Sequence, residues 1–177
     1  MDSILSRPQA AGFLFTSVLG TFLHFLFDLT GGSAAAARVS AVNESIWEHM
    51  KLIYYPMVLF AGLQALFRRP VPETFWCIKL ASVSLGLVLV PVLYYSYTGI
   101  LGISADWFNV TIFFLAAFAA YRLEELLRRR AGECRLSSRW ALLLLVGIGI
   151  VFTYLTFFPP RIPFFRDPVT GSYGFPG

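Results

Sequence analysis

The stretch VNESIWEHMK, residues 42–51, sets Glu44, Glu48, His49 and Lys51 at the mouth of a long apolar run. Imidazole nitrogens with carboxylate oxygens form a donor set that suits zinc, iron or manganese, and a spare carboxylate beside such an ion can act as a general base. His24 and His49 are the only two histidines of the chain, and each has acids close by. Residues three or four apart share a helical face. His24 with Asp28, Glu44 with Glu48, and Asp106 with Asn109 are therefore expected to form three polar stripes. On this reading His24, Asp28, His49 and Asp106 are the metal ligands, Glu44 or Glu48 is the base, and Lys51 stabilises developing negative charge. The spacing is not H-E-x-x-H, and no complete metal motif is present.

The elements that must position these residues follow from composition. The 177 residues are 57% hydrophobic and 14% charged, with a mean hydropathy of +0.68, whereas a soluble domain carries roughly a quarter charged residues. A hydrocarbon core about 30 Å thick needs about 20 apolar residues of helix, since no backbone polar group can be left unpaired in lipid. Five stretches meet this need: Ala10–Leu29, Ser45–Phe67, Phe75–Tyr97, Ala105–Leu127 and Trp140–Phe158. The fold class expected is an all-α bundle of five transmembrane helices forming one domain. Lys79, near the start of the third span, is expected to snorkel, and Pro91 to kink that span.

Arg7, Arg68, Arg69, Arg122, Arg128, Arg129, Arg130, Arg135 and Arg139 all fall on one side of this threading. The positive-inside rule makes that side cytoplasmic, with the N-terminus inside and the C-terminus outside. The first span is read as a span and not as a secretory leader, because it exceeds the usual apolar length of a leader and contains His24 and Asp28. Cys77 and Cys134 lack C-x-x-C spacing and are expected to be free thiols. The charge of +4 is explained by topology, and no phosphate-binding glycine motif supports a nucleotide or nucleic-acid partner.

The threading brings all three polar stripes to the outer side. Carboxylates and histidines held together at low dielectric repel or protonate unless a cation joins them, and a divalent transition metal such as zinc would resolve the conflict. Structural roles compete locally. Ser45-Ile46-Trp47-Glu48 fits an S-x-x-E capping box, Asn43 offers another cap, and the tryptophans and tyrosines fit interfacial aromatic belts. The tail after Pro159-Pro160 carries Phe164, Phe165 and Tyr173 beside Arg161 and Arg166. It is too aromatic for a disordered segment. It is expected to fold back over the outer mouth, where Arg161, Arg166 and Tyr173, with Asn43, Trp47 and Asn109, would contact substrate.

The pattern N-E-S-x-W-E-H-x-K (Asn43, Glu44, Ser45, Trp47, Glu48, His49, Lys51), with His24-x-x-x-Asp28 before it and DPVTGSYG near the C-terminus, resembles a family of small bacterial multi-pass membrane proteins known as a domain of unknown function. The resemblance runs through nearly the whole chain and implies a bacterial inner-membrane protein; it carries no activity or cofactor with it. Three functions are compatible with these residues. The first is a metal-dependent hydrolase acting at the outer interface on a lipid-like or amphipathic substrate. The second is a proton- or cation-coupled transporter or channel component, for which a homo-oligomer could supply a second half. The third is a non-catalytic subunit or sensor whose polar contacts only hold helices together.

Overall fold

In the computed structural model, which describes residues 4–67, 70–130 and 134–176, the chain is all-helical. Its helices are α1 (Arg7–Leu29), α2 (Ala34–Ala37), α3 (Ile46–Phe67), α4 (Phe75–Leu101), α5 (Asp106–Arg129) and α6 (Ser138–Phe157), followed by a 3-10 turn at Pro163–Phe165. The described residues contain no strand, only an isolated antiparallel bridge between Arg166 and Tyr173. Four helices, α1, α3, α4 and α6, are long and apolar enough to cross a membrane. The fifth, α5, has the length, but Asp106, Arg122, Glu124, Glu125, Arg128 and Arg129 dilute its hydropathy. Arg68 and Arg69 lie outside the described residues.

Local chemistry sets the helix limits. A proline in the first turn of α1 costs no hydrogen bond there, and Gly102 ends α4 in the left-handed conformation at φ 68°. Within α3, Pro56 has no N–H to give the Leu52 carbonyl, which is thus freed from the helical ladder. That carbonyl faces α1 at Gly20, where a Cβ would lie 2.6 Å from the oxygen. Glycine here lets α1 close onto α3 along the stretch just below His24.

The long helices pack in alternating directions around Ile53, Val83, Ala116, Ala120 and Leu145, all fully buried. Large apolar side chains such as Leu14, Val18, Phe22, Phe25, Leu115, Leu143 and Ile150 face outward, as expected of a surface meeting lipid. At one end Lys79 is buried, not snorkelling: its Nζ donates to Glu124 Oε1 at 2.6 Å and to Gln64 Oε1 at 2.5 Å. Gln9 Nε2 also donates to Glu124 Oε1, at 3.1 Å. So α1, α3, α4 and α5 each bring one polar side chain to a common point. The same end corrects the expectation of free thiols, since Cys77 and Cys134 form a disulfide across 57 residues of sequence. Sequence spacing hid the pair because the α4–α5 hairpin must fold before the two meet.

The opposite end is held by a second buried ion pair. Lys51 Nζ lies 2.6 Å from Glu48 Oε2 and donates also to the Ala37 carbonyl and to Thr156 Oγ1, both at 2.9 Å. Glu48 accepts further bonds from Thr156 Oγ1 at 2.9 Å and from the Val42 N–H at 3.1 Å. All three ammonium protons are used, and α2, α3, α6 and the strap before α3 are joined. The loop from Thr30 to Val42 is thereby anchored, with Ala36, Ala37, Ser40 and Ala41 buried.

The tail folds back over this end, as expected. The Phe175 N–H donates to the Thr156 carbonyl at 2.8 Å, and Asn43 Nδ2 donates to the Gly174 carbonyl at 3.2 Å. Gly174 has φ 56°, and a Cβ there would lie 2.3 Å from the Thr156 oxygen. Two predictions follow from this packing. Lys51→Ala, which leaves Glu48 buried without its cation, should cost about 3–5 kcal/mol in detergent unfolding, whereas Lys51→Met with Glu48→Gln should cost clearly less; equal losses would show that the pair's charges do not matter. Gly174→Ala should free the tail, seen as faster proteolysis after Phe158 with the helical core intact.

Candidate functional site

His24 comes from the last turns of α1, His49 from the first turn of α3, and Glu44 from the bend that leads into α3. Glu44 and Glu48 do not share a helical face, because α3 begins only at Ile46. Ser45 Oγ accepts the Glu48 N–H at 3.4 Å, which is one half of a capping box. The other half is missing: the Ser45 N–H goes to Asn43 Oδ1 at 3.0 Å, and the Glu48 side chain turns inward to Lys51. Glu44 is left pointing the other way, half exposed, toward the two histidines.

Glu44 Oε2 lies 3.3 Å from His49 Nε2 and Glu44 Oε1 lies 3.8 Å from His24 Nε2. The two imidazoles are stacked obliquely, with centroids 5.5 Å apart. His49 Nδ1 is 2.9 Å from the Ser45 carbonyl, an acceptor only, so Nδ1 carries a proton; Nε2 is directed into the site, where the imidazolium donates to Glu44. A hydrogen-bonded second nitrogen of this kind orients a metal-binding histidine. One donor atom each from His24, Glu44 and His49 falls within 4.8 Å of the others, close enough for one ion to gather with small side-chain shifts. His24 Nδ1 is buried without a partner.

The remaining expected site residues divide. Asp28 is exposed one turn beyond His24 and acts on it electrostatically. Asp106 is exposed at the start of α5 and is not part of the group; Asn109 instead accepts the Tyr97 hydroxyl at 2.5 Å and steadies the α4–α5 turn. Glu48 and Lys51 belong to the buried ion pair. Trp47, on the far side of α3, packs against Phe152 and Phe165 at 4.6 and 4.8 Å. Asn43 ties the strap to the tail. Tyr173 is half-buried beside Arg166 in the bridge, and Arg161 and Arg166 are exposed and form no ion pair among the described residues. Thr156 was missed by sequence reasoning; a threonine in an apolar helix gives no signal until its partners are known.

The profile of a family of unknown function, DUF6512, matches residues 9–175. The chain belongs to this family. No curated protein and no solved structure matches it. Within this DUF6512 chain the matched span takes in α1 from Gln9, the histidine site and the tail through Phe175.

Glu44 is held below its ordinary value of 4.5, chiefly by the hydrogen bond with His49 and also by the charge of both histidines, while partial burial opposes the shift. A depressed carboxylate contributes stability that is complete above its unfolded value and lost as pH falls through its folded one. Acidification below about pH 4.5 should therefore lower the wild-type melting temperature more steeply than that of Glu44→Gln. Parallel curves for the two proteins would remove the coupling.

Proposed function

We propose that this chain crosses a bacterial inner membrane five times, with the arginine-rich end in the cytoplasm, and that His24, Glu44 and His49 hold a divalent transition metal at the outer face. The convergence of these three donors carries the reading. Two histidines and one glutamate are a three-ligand set of the kind that zinc uses in hydrolytic sites, where a further position stays open for water or substrate. Bound there, the metal supplies a Lewis acid and a more acidic water. Asp28 is the free carboxylate nearest the pair by sequence and takes the role of base. Glu48 and Lys51 are too fully bonded to serve. Phe22 and Phe25 flank His24 on the outward face of α1, and the Phe25 ring lies 4.9 Å from the imidazole. A substrate would thus meet the site from the membrane surface, which favours a lipid-like or amphipathic molecule and a hydrolytic reaction.

Cation or proton transport is the second reading, favoured by Gln64 and the buried Gln9, Lys79 and Glu124 at the opposite end. Between the two ends Ile53, Val83, Ala116 and Leu145 are fully buried, and buried hydroxyls there are taken up in bonds, Thr16 with Tyr121 and Tyr54 with the Leu145 carbonyl. Closed bonds of that kind weigh against a path.

Detergent-purified protein should contain one equivalent of zinc or a similar metal by elemental analysis. His24→Ala or His49→Ala should abolish it, and affinity should fall with pH because protons compete for Nε2. Amphipathic esters and phosphoesters should then be hydrolysed only by the metal-loaded wild type. Metal content below stoichiometry and unchanged in both alanine variants would overturn the proposal.

A further inference from the structure

The arginine-rich end and the disulfide occupy the same end of the bundle. Arg7, Arg122, Arg128, Arg129, Arg130, Arg135 and Arg139 mark it as cytoplasmic by the positive-inside rule, yet cytosolic disulfides are rare, and those that occur are usually transient, catalytic or redox-sensing. We propose that Cys77 and Cys134 form a redox-responsive pair that exchanges with cytoplasmic thiols and reversibly pins the α5–α6 connection to the start of α4. This rests on the orientation given above, though not on the metal site.

The two sulfurs are unequal. Cys77 is 6% exposed in the first turn of α4, while Cys134 is half-buried in the connection, next to exposed Arg135 and beyond exposed Arg128, Arg129 and Arg130. Cys134 is the more exposed of the two, so an attacking thiolate reaches it first. The new bond joins the attacking sulfur to Cys134 while the Cys77–Cys134 bond breaks. Cys77 leaves as a thiolate at the positive end of the α4 dipole and takes a proton from solvent. A second thiol of the reductant then displaces Cys134, so that two electrons pass from a dithiol to the disulfide and the dithiol is itself oxidised. Reoxidation passes two electrons to a disulfide such as oxidised glutathione.

Release would be felt locally. Cys77 lies two residues before Lys79, whose ammonium joins α4 to Glu124 of α5. At the start of α6, Ser138 Oγ bonds the Glu73 carbonyl just ahead of α4. With the disulfide open, that hydrogen bond and the packing of α6 on α4 continue to tie the two helix starts.

The test uses full-length protein in its own membrane. Cells are acid-quenched with or without diamide, and thiols are counted with a mass-tagged maleimide. Spheroplasts and inverted vesicles are treated in parallel with an impermeant reductant and an impermeant maleimide. The ratio of disulfide to dithiol should rise by on the order of tenfold with diamide and fall back after its removal. Labelling should occur in inverted vesicles only. With glutathione, Cys77→Ser should accumulate a mixed disulfide at Cys134, and Cys134→Ser should accumulate little at Cys77. A pair labelled from inverted vesicles but fixed in one state under every condition overturns the exchange and leaves the orientation standing. Labelling from spheroplasts overturns both. Metal content of the two serine variants should equal wild type, which keeps the outcome separate from that of the histidine site.

Discussion

A lysine and a glutamate buried together, with every proton of the ammonium bonded, determine how one end of this bundle is built. Taking the charges of Lys51 and Glu48 out of water costs several kcal/mol each, and their attraction offsets that cost only when the remaining hydrogen bonds are also made. Here they are made by the Ala37 carbonyl, the Val42 N–H and Thr156. Each partner sits on a different part of the chain, so the pair is satisfied only when α2, the strap and α6 are all in place around α3. That requirement fixes the strap, and the strap fixes Glu44. The tail joins the same knot, because the Thr156 carbonyl accepts the Phe175 N–H.

Much of the fold was legible because lipid allows so few solutions. Apolar runs of about 20 residues place all five long helices within a few residues, and the acids and imidazoles at their ends include the three that the structure brings together, His24, Glu44 and His49. The errors arise where sequence spacing was taken for space. Glu44 and Glu48 are four apart, but only one of them is in the helix, so they point in opposite directions and do different work. Asp106 was expected beside the histidines because α5 starts at the same end, yet the position of a helix within a bundle is not written in its hydropathy. Lys79 reads as a snorkelling lysine until Glu124, 45 residues on, is known to face it. Cys77 and Cys134 fail to announce themselves for the same reason.

The two ends are stabilised by the same device used differently. Lys51 and Glu48 are neighbours on α3, so their pairing organises what surrounds one helix. Lys79 and Glu124 lie on α4 and α5, so theirs fixes the register of two helices, with Gln9 and Gln64 setting α1 and α3 against them. Polar contacts of this sort between membrane helices average only about 0.6 kcal/mol each. Their larger effect is on alternatives, since sliding α4 past α5 by one turn would part a buried ion pair, and sliding α1 or α3 would break the Gln9 or Gln64 bond to it.

Saturation distinguishes the Lys51 pair from the histidine site. Around Lys51 every ammonium proton has its acceptor, and a group bonded in that way has no capacity left for a ligand. The histidine site is the reverse. His24 Nδ1 is buried with no partner, its Nε2 is 3.8 Å from Glu44, too far for a hydrogen bond, and Glu44 is half exposed. Within the site Glu44 bonds His49, at 3.3 Å, while His24 is brought close by the packing of α1 on α3 at Gly20 and Glu44 by the strap anchored at Val42. His24 thereby keeps bonding capacity that the Lys51 pair has used up.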